Sequence, residues 1–289
     1  MNRTLTFEAH IRDPLYGYIG LTRDELRILD TRSLQRLRRI KQLANAHLVY
    51  PAACHTRFEH SLGVLHVATL MARQLRIEGD DLTTLRYAAL LHDVGHGPFS
   101  HVFEAPLKAI NGKDATHEGI TRRIIREDEE ITSILGEAAE SVAALLSEDQ
   151  NGILHQVISG NIDADKLDYL RRDSYHTGVA YGNFDLERVL YTLRKNVSGQ
   201  REDLTIHEKG IDVVESFRLA RFLMYAQVYY HHTNVVANGM LQRAIKVAVR
   251  DRVVNAEMIR IGRDDFLERY LALDDARLLA QVLARPEST

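Results

Sequence analysis

The sequence has 289 residues, of which 45% are hydrophobic and 27% are charged, and its formal net charge is −3 at pH 7. A chain of this size and composition can bury the core of one large domain, and its slight negative charge argues against binding nucleic acid over its whole surface. The single cysteine, Cys54, excludes an internal disulfide framework and favours the reducing cytoplasm. No apolar run reaches the roughly 20 residues that a membrane span needs, so we expect no membrane partner.

The predicted elements begin with a short β-hairpin, because residues 5–20 alternate apolar residues around a proline and two glycines. In residues 22–43 the apolar residues recur at helical spacing behind Thr22, which predicts one capped helix. Within it, Leu34, Leu37 and Ile40 are expected to face the core, which leaves Arg32, Arg36 and Arg39 on a solvated face.

The rest of the chain also favours helices. They are predicted at 59–77, 81–93, 117–128, 137–147, 151–158, 163–174 and, as one long helix, 211–248, with weaker helices within 255–284 and a polar hairpin or loop at 196–210. Because strands and helices do not alternate, the predicted fold class is mainly α, a helical bundle with small β-hairpins. We expect one domain over residues 1–250, with 251–289 as its short helical C-terminal extension.

Four residues on these predicted helices suit a metal ion. His92 and Asp93 are adjacent at one helix end, and His60 and Asp165 lie on two other helices. His92 falls on an apolar stripe and is expected to point inward, where an imidazole needs a polar partner. For an isolated histidine a backbone carbonyl is the simplest partner, and a metal ion is the alternative. Two imidazoles with two carboxylates favour the second interpretation, because this mixed set suits Mn, Fe, Mg or Zn and leaves positions for water and substrate.

Two later helices carry polar strips with the spacing i, i+4, i+8. The strips are Asp165, Tyr169 and Asp173 on the first helix, and Arg221, Tyr225 and Tyr229 on the second. Residues at this spacing share one helix face. A cation at one end and a sugar hydroxyl at the other would explain two carboxylates on one strip. For the second strip, a solvated amphipathic helix rich in tyrosine is an equal alternative.

Longer strings around these residues resemble a known family. RFEHSLGV, LLHDVGHGPFSH, DADKLDYLRRDS and RFLMYAQVYYHHT contain the H…HD…D signature of HD-domain phosphohydrolases. In this order they resemble the dNTP triphosphohydrolase branch, which includes the vertebrate SAM-and-HD-domain dNTPase and bacterial relatives. The resemblance runs from about Asp13 to His232. It implies a helical core, one divalent ion, further Mg²⁺ carried with the substrate phosphates, and hydrolysis of a dNTP to deoxynucleoside and inorganic triphosphate.

The resemblance also implies residue roles, all by position in this sequence. The metal ligands are His60, His92, Asp93 and Asp165. The phosphate contacts are Arg57, Lys166 and Arg221; the sugar and base contacts are Gln42, Tyr169, Asp173, Tyr225 and Tyr229. The histidines around the α-phosphate are His96, His101 and His117, with Glu104 or Glu118 as the carboxylate that orients the proton donor. An activating nucleotide would be read by Asp30, Gln35 and Arg38.

Several alternatives stay open. Tyr225 stands where the vertebrate enzyme has histidine, and Ala44, Asn45 and Ala46 replace its glycines, so base and sugar preference are not fixed. The same chemistry would serve a nucleotidase, phosphodiesterase or nuclease, and a non-catalytic nucleotide-sensing module is a third hypothesis. The family further implies a homo-oligomer, either a dimer or a tetramer.

Overall fold

The computed structural model describes residues 5–199 and 201–284. As predicted, this part of the chain is mainly helical and carries two small antiparallel hairpins. The strands are β1 Ala9–Asp13, β2 Gly17–Leu21, β3 Leu193–Ser198 and β4 Arg201–Ile206. The helices are α1 Arg23–Asp30, α2 Arg32–Arg36, α3 Arg57–Leu75, α4 Gly79–Leu91, α5 Glu104–Asn111, α6 His117–Glu127, α7 Glu129–Leu135, α8 Ala138–Leu145, α9 Ile153–Ser159, α10 Ala164–Thr177, α11 Leu186–Thr192, α12 Ile211–Met224, α13 His232–Arg250, α14 Phe266–Leu271 and α15 Asp275–Leu283. None of these helices is both long enough and apolar enough to cross a membrane.

The predicted N-terminal hairpin forms from β1 and β2, and Asp13 closes its turn. The Oδ1 atom of Asp13 accepts hydrogen bonds from Leu15 N at 2.8 Å and from Tyr16 N at 3.1 Å. Its Oδ2 atom accepts a third bond from Arg172 Nη1 on α10 at 2.9 Å. Asp13 therefore ties the hairpin to the helix whose first turn carries Asp165.

Residues 22–43 do not form the single helix that was predicted. Thr22 caps α1 as expected, with a complete capping box. Thr31 then ends α1 and caps α2: its Oγ1 donates to Ile28 O at 2.7 Å and accepts from Leu34 N at 3.4 Å. A threonine that satisfies backbone groups on both sides outweighs the apolar periodicity, and the helix is interrupted there by an extended residue.

Arg36 is buried, so its predicted place on a solvated face is wrong. Arg36 is fully buried, donates from Nε to Leu273 O at 2.7 Å and lies 5.0 Å from the centre of the Tyr270 ring. Arg32 and Arg39 are exposed, as predicted. Arg36 thus fastens α2 to the C-terminal part of the fold.

The core that positions the site is the packing of α3 against α4 and α10. A methyl group placed on Gly63 of α3 would lie 1.9 Å from Asp168 Oδ1 on α10. Only glycine allows the two helices to approach this closely. The close approach brings His60, one helical turn before Gly63, beside the first turn of α10.

The long helix predicted over 211–248 is interrupted. After α12, residues Tyr225–Tyr229 form a π-helical turn, with Tyr230 N donating to Tyr225 O at 3.0 Å. His231 then caps α13 by accepting from Thr233 N at 3.3 Å. Such π-turns are rare and often occur at functional sites. Here the turn sets the rings of Tyr225 and Tyr229 in edge contact, with centroids 5.0 Å apart.

The C-terminal helices hold the loop between α4 and α5, which contains the HDVGHGPFSH segment. Asp275 of α15 accepts from Phe99 N at 2.6 Å and from Lys41 N at 3.0 Å. Tyr270 donates from its hydroxyl to Gly95 O at 2.9 Å. Phe99 has a φ of 56°, which strains a side chain other than glycine. The bonds from Asp275 and Tyr270 hold this strained loop in place.

Candidate metal centre and surrounding pocket

The structure brings together the four residues expected to bind metal. His60 comes from α3, His92 and Asp93 follow α4, and Asp165 lies in the first turn of α10. The Nε2 atom of His60 is 3.3 Å from His92 Nε2, 3.0 Å from Asp165 Oδ1 and 3.7 Å from Asp93 Oδ2. Adjacent ligands of an ion with bonds of about 2.1 Å lie about 3 Å apart. His60, His92 and Asp93 each place a ligand atom within 4.8 Å of the others, and Asp165 adjoins this group through His60, so the donor set suits a divalent ion.

The outer contacts of the two histidines select the tautomer that a metal requires. His92 Nδ1 is 2.8 Å from Ala89 O, which can only accept, so His92 carries its proton there and has a lone pair on Nε2. His60 Nδ1 is 2.8 Å from Asp168 Oδ2 and donates to that carboxylate. Burial raises the pKa of Asp168, but the charge of Arg172 and the hydrogen bond from His60 hold it below its usual value. Second partners of this kind orient metal-binding histidines.

Without metal, the charges around the centre favour a protonated His60. Burial lowers the pKa of His60, but hydrogen bonds to Asp165 and Asp168, with the charge of Asp93, outweigh burial and raise it to about 10. Two Nε2 atoms 3.3 Å apart cannot both present lone pairs to each other without a cation between or on them. The donor set thus requires a positive charge, which a divalent ion would supply.

Arg57, expected to contact phosphate, faces the metal centre. Its Nη1 donates to Asp93 Oδ2 at 2.5 Å and its Nε to Ser100 Oγ at 2.9 Å. Burial raises the pKa of Asp93, but Arg57 and then His92 lower it well below its ordinary value. Asp93 is therefore ionised, and one of its oxygens lies near His92 Nε2, at 3.4 Å.

A second histidine cluster adjoins the first. His101 Nδ1 and His117 Nδ1 each lie 2.8 Å from Glu104 Oε1, and His117 Nε2 lies 3.2 Å from Glu118 Oε1. Burial raises the pKa of Glu104, while the hydrogen bonds from both histidines lower it far more, so the carboxylate is ionised. Glu104 is thus a shared partner that can stabilise a protonated imidazole.

His96 links the two clusters. Its Nε2 is 3.3 Å from Asp93 Oδ1, and its ring stacks on that of His117 with centroids 3.8 Å apart and planes at 22°. Burial, then the charges of Arg57 and His117, lower its pKa well below the ordinary value. One nitrogen from each of His96, His101 and His117 falls within a 4.8 Å group that could hold an ion. The same criterion groups His60, His92 and Asp93, where Asp93 adds a carboxylate ligand that the three histidines lack.

The strip on α10 is divided between two environments. Asp165 faces the metal centre, whereas Asp173 is buried, with Oδ1 2.7 Å from His55 Nε2 and Oδ2 accepting from Tyr229 at 2.7 Å. Lys166, expected to contact phosphate, donates to Asp163 Oδ2 at 2.5 Å. Its charge is therefore directed to the start of α10.

The second strip begins on α12, continues into the π-helical turn and contacts the strip on α10. The guanidinium of Arg221 lies 5.5 Å from the centre of the Tyr225 ring, and the rings of Tyr169 and Tyr229 are 6.2 Å apart. Arg221 and Tyr225 line a cavity of about 660 Å³ that also contacts Phe217. Both predicted strips therefore contribute aromatic side chains to one region.

The remaining predicted residues lie outside these clusters. The Oε1 atom of Gln42 is buried and has no hydrogen-bond partner among the described residues. Gln35 accepts from Arg38 Nε at 2.9 Å, and Arg38 lies 3.6 Å over the Phe58 ring, whereas Asp30 is exposed. Of the three residues expected to read an activating nucleotide, Gln35 and Arg38 are therefore in contact with each other.

Sequence reasoning missed three residues that organise the site: His55, Asp168 and Arg172. Asp168 and Arg172 stand at i and i+4 on α10, a spacing typical of an ion pair, and they do form one at 2.9 Å. This spacing could have identified the pair. The partner of His55 is far away in sequence, so the only signal was the position of His55 itself, just before the RFEH string.

Comparisons with known proteins agree with the geometry. A family model of the HD domain matches residues 57–173, which contain all four expected metal ligands. A model of the HD associated region matches residues 184–285.

Three relatives illustrate the match. An uncharacterized protein of Methanocaldococcus jannaschii is 37% identical over 94% of this chain and 57% of its own length. The deoxynucleoside triphosphate triphosphohydrolase SAMHD1 of Gallus gallus is 31% identical over 86% of this chain and 47% of its own length. The chain thus spans about half the length of these curated relatives. A crystal structure of a phosphohydrolase from Bacteroides thetaiotaomicron matches with a TM-score of 0.83 and 33% identity, covering 96% of this chain and 73% of that one. The chain therefore belongs to the HD-domain family of metal-dependent phosphohydrolases.

Proposed function

We propose that this protein hydrolyses deoxynucleoside triphosphates to deoxynucleoside and inorganic triphosphate. The observation that carries the proposal is the adjacency of two clusters: the metal-binding set around His60 and the pair His101 and His117 on Glu104. Ester hydrolysis needs charge neutralisation, an activated water and a proton for the departing oxygen. The similarity to SAMHD1, whose name states this activity, supports the choice of substrate.

In this mechanism, His60, His92, Asp93 and Asp165 would hold the divalent ion. When bound, the ion supplies Lewis-acid activation and neutralises phosphate charge. Water forms the new bond to the α-phosphorus as the bond to the sugar oxygen breaks, and that oxygen needs a proton. His101 or His117 can donate it, because Glu104 holds Nδ1 of each ring and stabilises the imidazolium before transfer.

Substrate binding would use the charges and rings around the pocket. Arg57 lies beside the metal centre, and Arg221 lies at the cavity with Tyr225. Tyr169, Tyr225 and Tyr229 offer rings on which a sugar and base can pack. Gln42 has a buried, unpartnered oxygen in the described chain that could accept from a sugar hydroxyl.

A second candidate is hydrolysis of a smaller phosphate ester by the same centre. Lys166 is paired with Asp163, and Arg57 with Asp93, so two of the three cations expected to bind a triphosphate are already neutralised. This arrangement favours a nucleotidase or phosphodiesterase. A non-catalytic nucleotide-sensing module remains the third candidate function.

Product analysis separates these candidates. The purified protein is incubated with Mn²⁺, Mg²⁺ or Fe²⁺ and a panel of dNTPs, NTPs, nucleoside monophosphates and a simple phosphodiester. We expect intact inorganic triphosphate from dNTPs, whereas orthophosphate or pyrophosphate favours the second candidate, and nucleotide binding without turnover favours the third. A matched Asp165→Ala protein, prepared identically, controls for contaminating phosphatases.

The same assay tests the proposed activating nucleotide. Gln35 and Arg38 contact each other near the surface, and Asp30 is exposed. If they read an activator, added GTP or dGTP should raise the rate on a single dNTP, and Arg38→Ala should abolish the increase. A rate unchanged by either nucleotide contradicts this regulatory role.

We also propose that the protein is cytoplasmic and forms a homo-oligomer. Helices α12 and α13 expose large apolar side chains, including Phe222 at 65% and Met240 at 68% of their full surface. Exposed apolar patches commonly mark protein contacts. Light scattering at several concentrations tests assembly, and a monomer at all of them contradicts it.

A further inference from the structure

A series of buried hydrogen bonds connects three segments that are distant in sequence. His55, just before α3, places Nε2 2.7 Å from Asp173 Oδ1 on α10. The other carboxylate oxygen of Asp173 accepts from the hydroxyl of Tyr229 in the π-helical turn, also at 2.7 Å. His55 and Asp173 are both almost completely buried. His55, Asp173 and Tyr229 therefore form one hydrogen-bonded series, and the ring of Tyr229 contacts Tyr225, which lines the cavity.

Within this series of hydrogen bonds, the protonation and hydrogen-bonding role of Tyr229 is defined. Its hydroxyl hydrogen is committed to Asp173, so its oxygen can only accept a bond from a ligand. Burial, then the charge of Asp173, raises the pKa of Tyr229 well above its ordinary value, so the hydroxyl keeps its proton. Its ring is edge-on to Tyr225 and Tyr169, with centroids at 5.0 and 6.2 Å. The hydrogen bond to Asp173 therefore helps to fix the position of Tyr229.

His55 is the residue that holds Asp173. Its backbone oxygen accepts from Gln42 N at 3.0 Å, and its ring stacks on His176 with centroids 4.4 Å apart and planes at 13°. His55 thus joins the segment that carries Gln42 to the strip on α10. Both segments were expected to contact the sugar.

Stability alone does not explain a histidine here. Its Nδ1 is buried and has no hydrogen-bond partner in the described part of the chain, and the same is true of His176 Nε2 stacked against it. A buried nitrogen without a partner costs free energy that an apolar side chain of similar size would avoid. Conflicts of this kind with packing occur where a residue serves function.

We propose that His55 is a positioning residue for ligand binding, acting through Asp173 to fix Tyr229 beside Tyr225, which lines the cavity. The inference rests on the proposed function only for the identity of the ligand. His55 contacts none of the four expected metal ligands in the contacts described above, so its role is separate from metal binding. Its loss should therefore weaken nucleotide binding and leave the metal centre occupied.

The test compares two substitutions of matched size. In His55→Gln the side-chain amide nitrogen can reach the position of Nε2 and still donate to Asp173, whereas His55→Leu removes the donor. With dGTP as probe, we expect His55→Leu to raise KM about tenfold, the effect of losing one hydrogen-bonded binding contact. We expect kcat within about twofold of the parent, because a contact made equally in the ground state and the transition state affects KM and not kcat, and we expect an unchanged metal content. His55→Gln should restore KM. Where His55→Leu does not fold, His55→Asn removes the same contact with a polar side chain too short to reach Asp173.

A double-mutant cycle with Tyr229→Phe tests the route. If His55 acts through Asp173 and Tyr229, His55→Leu should add little to the effect of Tyr229→Phe. Additive effects, equal damage from His55→Gln and His55→Leu, or a parallel loss of metal would each overturn the inference.

Binding measurements separate this inference from the proposed function. Calorimetry gives Kd for dGTP with each protein whether or not the nucleotide is hydrolysed. A parent protein that binds dGTP without turnover contradicts the proposed hydrolase and leaves the comparison of Kd values valid. Equal Kd values for the parent and His55→Leu overturn the role of His55 alone, and a parent that does not bind dGTP overturns both.

Discussion

His60 and His96 are equally buried, both face Asp93, and their pKa values are shifted in opposite directions. Burial lowers both, but the hydrogen bonds from His60 to Asp165 and Asp168 raise its pKa to about 10. The pKa of His96 is lowered by burial and further by Arg57 and His117. The same residue type at the same depth is thus prepared for opposite states by the charges around it.

The two histidine clusters also differ in how their rings are arranged. The Nε2 atoms of His60 and His92 converge at 3.3 Å, and each Nδ1 is held by its own acceptor. His101 and His117 share the single acceptor Glu104. Separate acceptors favour a fixed ligand set, whereas a shared carboxylate favours proton transfer. The following substitutions test whether the first cluster binds the metal and the second transfers the proton.

The largest effect is expected from His92→Ala, which removes one of the converging nitrogens. Metal bound per chain should fall to background, and hydrolysis should fall to the level without protein, because the ligand set is no longer complete. Elemental analysis and product release measure both. The matched control is His101→Ala, which should retain its metal; loss of metal from both variants would show that the two clusters are not distinct.

A smaller effect is expected from Glu104→Gln, which keeps the size of the side chain and removes its charge. The imidazolium of His101 or His117 loses its stabilising partner, so kcat should fall about 10²- to 10⁴-fold, the usual contribution of general acid catalysis. Metal content should stay at the parent level. Steady-state kinetics and elemental analysis test this, and an unchanged kcat would remove the second cluster from the mechanism.

An effect on metal affinity alone is expected from Asp168→Asn. The amide can no longer act as a charged acceptor for His60 Nδ1, and such outer partners typically contribute about 10- to 100-fold to metal affinity. A competition titration with a coloured chelator measures the change, and circular dichroism checks folding, since Asp168 also pairs with Arg172. Parent-like affinity in a folded variant would contradict the orienting role of Asp168.

The smallest effect concerns the stability of the metal-free protein. The pKa of His60 is about 10 in the fold, above its ordinary value of about 6.5 when unfolded. Its contribution to stability is therefore complete below about pH 6.5 and is lost as the pH rises through about 10. Thermal unfolding in chelator should show the parent's advantage over His60→Gln shrinking across this window, by about 2–4 °C for each kcal/mol lost. An advantage that is constant or grows with pH would contradict the assignment.

The sequence could predict the elements and residues whose signals are local. The hairpin, the cap at Thr22 and the helices that carry His60 and Asp165 follow from turn residues, capping and apolar spacing. The convergence of the metal ligands was expected from their residue types and from the resemblance of their strings to a family. The structure brings them together.

Other features depend on hydrogen bonds that compete with the helical backbone pattern, and apolar spacing does not reveal these bonds. Thr31 divides a predicted helix by satisfying backbone groups on both sides, and the π-helical turn at Tyr225 divides another. The burial of Arg36 requires carbonyl acceptors from segments far along the chain. His55 meets a partner 118 residues away. Such tertiary partners cannot be read from a helical pattern.

The paired charges that begin at Asp13 reach the metal centre in three contacts. Asp13 binds Arg172, Arg172 binds Asp168, and Asp168 binds His60 Nδ1. The surroundings of His60 are therefore complete only when α10 has docked against α3, and the hairpin adds the last charge of the series. A metal ion bound at His60 would thus stabilise the association of segments that are far apart in the sequence.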